Sequence, residues 1–242
     1  MQIHVINLER DHERLKRFLA GNAHLPAIVR PPAIEGRKLD RDLLEKTGYI
    51  SKPLSYNNAA LGNAYSHIEL WCKAVESGES VTIAEDDAIF APNFSSASAE
   101  VLCKLDADWD IILWGWNFDA FLWLEIPEGV STCKLQFDQT ELRKNIEVFR
   151  SREFSYNPLR LRHSFGLMAY TISPTGAKSM MEICLPLRDT LIEFDGFGVV
   201  IENKTIDAIM NRAYPRLKAY VCMPPLAVSE NWHETSNTRL DP

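Results

Sequence analysis

The chain has 242 residues, 46% hydrophobic and 24% charged, a composition that suits a soluble globular protein with a sizeable core. Its net charge of −7 argues against nucleic-acid binding. Five scattered cysteines without a CxxC pair argue against a disulfide framework or a zinc site. No uncharged apolar run approaches the roughly 20 residues that span a bilayer. The amino terminus, Met1-Gln2-Ile3-His4-Val5, has no charged leader and begins as a strand, so no signal peptide is expected. The expected location is the cytoplasm, with room for peripheral association at the inner face of the membrane.

In chain order, Ile3 to Leu8 reads as a buried strand and Glu9 to Leu19 as a helix with Arg10, Arg14 and Arg17 at helical spacing. Ala27 to Arg30 reads as a second strand, stopped by Pro31-Pro32, and Asp40 to Lys46 as a short helix. Asn58 to Ser77 gives the clearest helical pattern. Leu61, Ala64, Tyr65, Ile68, Trp71, Cys72 and Val75 form one apolar stripe at a period of 3.6. Gly62, Ser66, Glu69, Lys73 and Glu76 fall on the opposite, solvated face, with Glu69 and Lys73 spaced to pair. His67 flanks the stripe, as a packing histidine would. Gly78 ends the helix.

Val81-Thr82-Ile83-Ala84 then runs directly into Glu85-Asp86-Asp87. The apolar run fits a strand buried on both faces, and three carboxylates are tolerable at its carboxyl end, where open α/β sheets bind ligands. Packed together, they repel one another unless a cation sits among them, and oxygen donors suit magnesium, manganese or calcium. The stretch is therefore either a divalent-metal site or an acidic turn facing water.

Further strands are expected over Trp109 to Gly115, Gly166 to Ile172 and Leu217 to Cys222. Helices are expected over Ser96 to Leu105, from Ser173-Pro174 to about Ile183, and over Lys204 to Ala213. Between them, residues 116–162 read as a loop-rich insertion holding Trp116, Phe118, Phe121, Trp123, Phe137, Phe149, Phe154 and Tyr156. Such aromatics either stack on sugar rings or cover a sheet edge. Gly196-Phe197-Gly198 lacks the rest of a dinucleotide fingerprint, and no GxxxxGK[ST] phosphate loop occurs. A single α/β domain over residues 1–242 accounts for the pattern, with a mostly parallel, Rossmann-like central sheet and helices on both faces.

In this order the sequence resembles the family 25 glycosyltransferases, which include lipooligosaccharide galactosyltransferases. The segments that carry the resemblance are Val5 to Arg10 with Arg14, Leu61 to Trp71, Ala84 to Asp87, and Gly166 to Lys178. Trp109 to Gly115 also fits. Asn63 stands where the family commonly has cysteine, and the tail Ser236-Asn237-Thr238 lacks the acid of the family's ending. The resemblance implies a GT-A type fold, a UDP-sugar donor such as UDP-galactose, a divalent metal (Mn2+, or Mg2+) and inversion at the anomeric carbon. It implies a hexose transferred to an oligosaccharide or glycolipid acceptor, as in lipopolysaccharide biosynthesis.

Within that frame, Glu85 and Asp87 lie two apart in an extended segment and are the expected metal ligands. Asp86 is expected to point the other way, towards the ribose of the donor or a structural hydrogen-bond donor, and His233 is a candidate metal ligand from the tail. Asn7, Leu8, Arg14, Gly62, Ser66 and His67 are expected around the donor. The base that takes the acceptor's proton is to be found among Glu193, Asp195 and Asp207. Two other readings compete. A non-catalytic sugar- or partner-binding relative would keep the fold without turnover. A nucleotidyltransferase would need a glycine-rich basic loop after the first strand, and Ile6-Asn7-Leu8-Glu9 is not one.

Overall fold

The computed structural model describes residues 1–194 and 198–232. In chain order the strands and helices begin with β1 (Ile3–Ile6), α1 (His12–Gly21), β2 (Ile28–Val29), α2 (Arg41–Lys46) and α3 (Asn58–Ser77). β3 (Val81–Glu85), β4 (Ile89–Phe90), α4 (Phe94–Leu102) and β5 (Ile111–Gly115) follow. Next come β6 (Phe121–Glu125), β7 (Thr132–Gln136), α5 (Gln139–Lys144), α6 (Ile146–Ser151) and β8 (Asn157–His163). The chain then forms β9 (Ala169–Ile172), α7 (Pro174–Cys184), β10 (Leu191–Phe194) and β11 (Val199–Glu202). α8 (Ile206–Met210), β12 (Ala219–Met223) and β13 (Ala227–Val228) complete it.

Nine strands form one sheet in the order β2-β1-β3-β9-β5-β12-β8-β6-β7. β2, β1, β3, β5, β12 and β6 point the same way, and β9, β8 and β7 run against them. The sheet is covered on both faces, as a strand of unbroken apolar character requires. Along β3, Ile83 packs with α3 and α7 residues such as Leu61, Trp71 and Met180. The next residue, Ala84, packs on the other side with Phe18 of α1 and Phe94 of α4. Period-2 alternation thus assigns neighbouring side chains to two different cores.

α3 is the longest helix. Asn57 caps its start by accepting from Ala60 N at 2.7 Å, and Gly78 ends it in the left-handed conformation at φ 69°. Its apolar stripe is buried from Leu61 to Trp71, with Leu61, Ala64 and Trp71 fully enclosed, whereas Cys72 is only partly covered and Val75 is exposed in the last turn. The opposite face departs from the sequence reading at its start. Gly62 and Ser66 are buried beneath the segment around Gly36, because both are small enough to admit another backbone. Ser66 Oγ accepts from Ile34 N at 2.8 Å and donates to Gly62 O at 2.8 Å. A Cβ on Gly62 would lie 2.5 Å from Ile34 O and 2.6 Å from Gly36 N. Lys73, expected to pair with Glu69, reaches His4 Nε2 at 2.7 Å. Burial, together with the Lys73 charge, lowers the His4 pKa.

Residues 116–162 are not the loop-rich insertion that the sequence suggested. They build β6, β7, α5, α6 and β8, which extend the sheet to its far edge. The aromatics at its heart are packing residues. Trp116 is 1% exposed and Trp123 6%, and Trp116 lies against Phe118 and Phe137 with ring centroids 5.5 and 5.2 Å apart. Burial therefore rules out Trp116 and Trp123 as sugar-stacking surfaces. No helix among the described residues is long and apolar enough to cross a membrane.

The close approach of α3 to the Gly36 segment yields a stability prediction. Gly62→Ala should lower the urea midpoint by an amount equivalent to roughly 1–3 kcal/mol, as overpacking against backbone does. A midpoint equal to wild type would show that the two backbones separate freely.

Candidate functional site

The site begins where β3 ends. Glu85 is the last ladder residue, paired with Ile6 of β1. Ala88 N bonds back to Glu85 O at 3.2 Å, so Glu85, Asp86 and Asp87 share one tight turn. All three line a cavity of about 710 Å³, whose walls include Asn7, Arg14, Ser66, Asp207 and Ser229. The turn sends the three carboxylates to three different sets of partners.

Asp86 is bound from the β1 side. Asn7 follows β1, and its Nδ2 donates to Asp86 Oδ2 at 2.6 Å. Arg30 Nε donates to Asn7 Oδ1 at 3.0 Å, which fixes how that amide is turned. Arg14 of α1 forms an ion pair with Asp86, its Nε donating to Oδ1 at 2.9 Å. Burial alone would lower the pKa of Arg14; the hydrogen bond and charge of Asp86 outweigh it and hold the guanidinium charged. Asp86 is thereby committed to protein partners, Asn7 and Arg14.

Asp87 is half-buried, at the cavity wall. β4 pairs with β13, Ile89 opposite Val228, and this short ladder carries the next residue, Ser229, onto Asp87. Ser229 Oγ donates to Asp87 Oδ2 at 2.8 Å. The other oxygen, Oδ1, is buried with no hydrogen-bond partner. Burial raises the Asp87 pKa to about 6, the neighbouring charge of Glu85 adds to the rise, and the Ser229 hydrogen bond and the Arg14 charge oppose it.

Glu85 is half-buried, with Oε1 3.3 Å from Asn63 Nδ2 and 3.6 Å from His67 Nε2. Asn63 thus serves the carboxylate from the position where cysteine is common in the resembling family. His67 is completely enclosed and lies behind Glu85, outside the cavity wall. Trp71 Nε1 donates to Tyr170 Oη at 2.8 Å, and Tyr170 Oη is 2.9 Å from His67 Nδ1. With Tyr170 as donor to Nδ1, the His67 proton is on Nε2 and faces Glu85. Burial also raises the Tyr170 pKa well above its ordinary value, so the phenol keeps its proton.

The remaining expected residues divide. Leu8 and Ser66 line the cavity. Gly62 does not; it makes the close backbone contact that sets the wall carrying Ser66. Asp207, in the first turn of α8, lines the cavity and accepts from Gly166 N at 3.1 Å and from Ala208 N at 3.0 Å. Glu193 is exposed on the β10–β11 hairpin, away from the cavity. Asp195 and His233 lie outside the described residues. Residues the sequence did not single out for the site are Asn63, Tyr170, Trp71 and Ser229. Trp71 stands one turn from His67 on the same helix, Asn63 is where the resemblance departs, and Tyr170 lies in the Gly166 to Lys178 segment that carries it, whereas Ser229 has no signal.

A divalent cation fits two of these side chains. Asp87 Oδ1 is buried and unpartnered, and Glu85 stands next to it with its charge felt by Asp87. No third His, Cys, Asp or Glu completes a metal cluster among the described residues.

An α/β sheet with acidic side chains at the carboxyl end of a buried strand, opening on a cavity, puts the site where such sheets bind their ligands. The match to known families is narrower. Residues 1–197 match glycosyltransferase family 25 (LPS biosynthesis protein), and the chain belongs to that family. It is a glycosyltransferase. A search of curated proteins finds no match.

The buried carboxylate gives a pH prediction. Because the folded Asp87 pKa is raised above its unfolded value near 3.8 to about 6, the group favours folding at low pH. That contribution is lost as pH rises from about 4 to about 6. In EDTA, the melting temperature of wild type relative to Asp87→Asn should fall across that window, leaving the variant the more stable protein at pH 7. Parallel curves would show that Asp87 titrates normally.

Proposed function

We propose that the protein is a metal-dependent, inverting hexosyltransferase that moves galactose from UDP-galactose to a cell-surface glycan such as lipooligosaccharide. The observation that carries this reading is Asp87, a carboxylate whose buried Oδ1 has no partner, beside Glu85 on the floor of a 710 Å³ cavity. Glu85 and Asp87 would hold Mn2+ or Mg2+, and the bound cation would supply charge neutralisation for a diphosphate leaving group. Asn7, Leu8 and Arg14 border the cavity at the end of β1, where the nucleotide is expected.

In an inverting transfer, an acceptor hydroxyl oxygen forms a bond to the anomeric carbon on the face opposite the diphosphate. The bond to the leaving phosphate oxygen breaks with its electron pair, and the acceptor proton passes to a base. Of the two described carboxylates considered for that base, Asp207 borders the cavity and Glu193 does not. Asp207 accepts hydrogen bonds from Gly166 N and Ala208 N, which hold the carboxylate in place.

Two experiments test the reading. Hydrolysis of UDP-, GDP-, CMP- and ADP-sugars should proceed with UDP-galactose in Mn2+, stop in EDTA and be lost in Asp87→Ala. Turnover unaffected by EDTA, or a preference for another nucleotide, would contradict it. Asp207→Asn should lower kcat for transfer by roughly 10²–10⁴ with the donor KM little changed; wild-type kcat would remove Asp207 from the mechanism.

A further inference from the structure

His67 and Tyr170 do not line the cavity, yet both are completely enclosed behind Glu85, which does. Strand register puts them there. Tyr170 of β9 lies opposite Ile83 of β3, and Ile83 and Glu85 share a face because side chains alternate along a strand. That face is the one α3 covers, and α3 brings His67 and, one turn on, Trp71. The rings of His67 and Tyr170 stack, with centroids 5.7 Å apart and an interplanar angle of 22°.

Donor counting fixes the direction of the hydrogen bonds. Trp71 Nε1 can only donate, and it donates to Tyr170 Oη at 2.8 Å. Burial, reinforced by the charge of Glu85, raises the Tyr170 pKa well above its ordinary value, so the phenol has a proton of its own to place. Among the described residues its remaining partner is His67 Nδ1, at 2.9 Å. With Nδ1 accepting, the ring hydrogen is on Nε2. The opposite tautomer leaves the tyrosine hydroxyl without an acceptor and turns a lone pair toward a carboxylate. Nε2 is buried with no hydrogen-bond partner, and Glu85 Oε1 stands 3.6 Å away, just beyond bonding distance. Asn63 Nδ2 approaches the same oxygen at 3.3 Å. Both N–H groups therefore address Oε1, and Glu85 Oε2 has no hydrogen-bond partner among the described residues.

We propose that His67, keyed by Tyr170 and Trp71, is a positioning residue for Glu85: its Nε2–H draws Oε1 to the protein side and leaves Oε2 turned to the cavity as a cation ligand. This inference rests on the metal-dependent reading and adds to it the side chains that aim one of the two ligands. Partners behind a metal ligand typically change metal affinity by roughly ten- to a hundredfold.

Two measurements test it, the first without metal. Nitrogen-15 NMR of histidine-labelled protein, with His67 assigned by its loss in His67→Gln, reads which ring nitrogen carries hydrogen. The expected result is hydrogen on Nε2; a bare Nε2 overturns the proposal whatever the metal does. The second is calorimetric titration with Mn2+ of wild type, His67→Leu, His67→Gln and Tyr170→Phe, each alone and combined with Glu85→Ala. Affinity should fall roughly ten- to a hundredfold in His67→Leu. It should fall about three- to tenfold in Tyr170→Phe, which deletes a single hydroxyl. His67→Gln, whose amide keeps an N–H for Glu85, should recover most of the loss. With Glu85→Ala, the same substitutions should have no further effect, because they act through that carboxylate, whereas a packing role gives factors that multiply. Effects that persist in full beside Glu85→Ala, or wild-type affinity in His67→Leu and Tyr170→Phe, overturn the positioning role and leave the cation site standing. Wild type that binds no Mn2+ overturns both. If His67→Leu does not fold, Tyr170→Phe carries the same comparison.

Discussion

Three adjacent negative charges at the end of a buried strand cannot be left to themselves, and their compensation organises the site. Like charges at such separations raise one another's pKa and cost folding energy. The fold compensates them unequally. Asp86 receives a full cation, Arg14, and an amide donor from Asn7. Glu85 has an amide and the near approach of the His67 imidazole. Asp87 receives one hydroxyl hydrogen bond, and its Oδ1 is buried without a hydrogen-bond partner. The asymmetry leaves Glu85 and Asp87 under-compensated and side by side, the condition in which a divalent cation contributes most.

The distant parts of the chain can be understood by what they deliver to that turn. β1 runs parallel to β3 and brings Asn7 alongside Asp86. α1 supplies Arg14. α3 supplies Asn63 on its outer face and His67 from its buried face, and its small residues allow the Gly36 segment to close down as a wall. The ladder of β4 with β13 is only two residues long, yet it places Ser229 on a carboxylate 142 positions earlier. From α5, Gln139 and Arg143 then clamp the backbone of Ser229, Glu230 and Asn231. Stability and function are therefore hard to separate here, since the contacts that order the wall also set the electrostatics of Asp87.

Much of this was legible in the sequence where local pattern and tertiary role agree. The α3 stripe, the cap at Ser173 and the strand leading into the acids all follow from periodicity and capping. Reading failed where one feature serves two purposes. Gly62 and Ser66 look like a solvated face because they are small and polar, whereas the fold needs them small so that another backbone can approach. β7, at the sheet edge, alternates toward solvent, and β8, inside the sheet, carries Arg160 and Arg162 among its apolar residues, so both read as loop in the sequence. The buried aromatics Trp116 and Trp123 were then available for a binding role that packing had already claimed. Ser229 and the clamp from Gln139 and Arg143 had no sequence signal, because a two-residue ladder between remote segments leaves none.

The claim on which the account stands is that Glu85 and Asp87 await a cation, and calorimetric titration with Mn2+ tests it most directly. Performed near pH 6 in two buffers of different ionisation enthalpy, it reports both binding and the protons released. The account predicts one binding event in wild type that expels a fraction of a proton from Asp87, and that is lost in Asp87→Asn and weakened in Glu85→Gln. Absence of binding in wild type, or undiminished binding in Asp87→Asn, would contradict it.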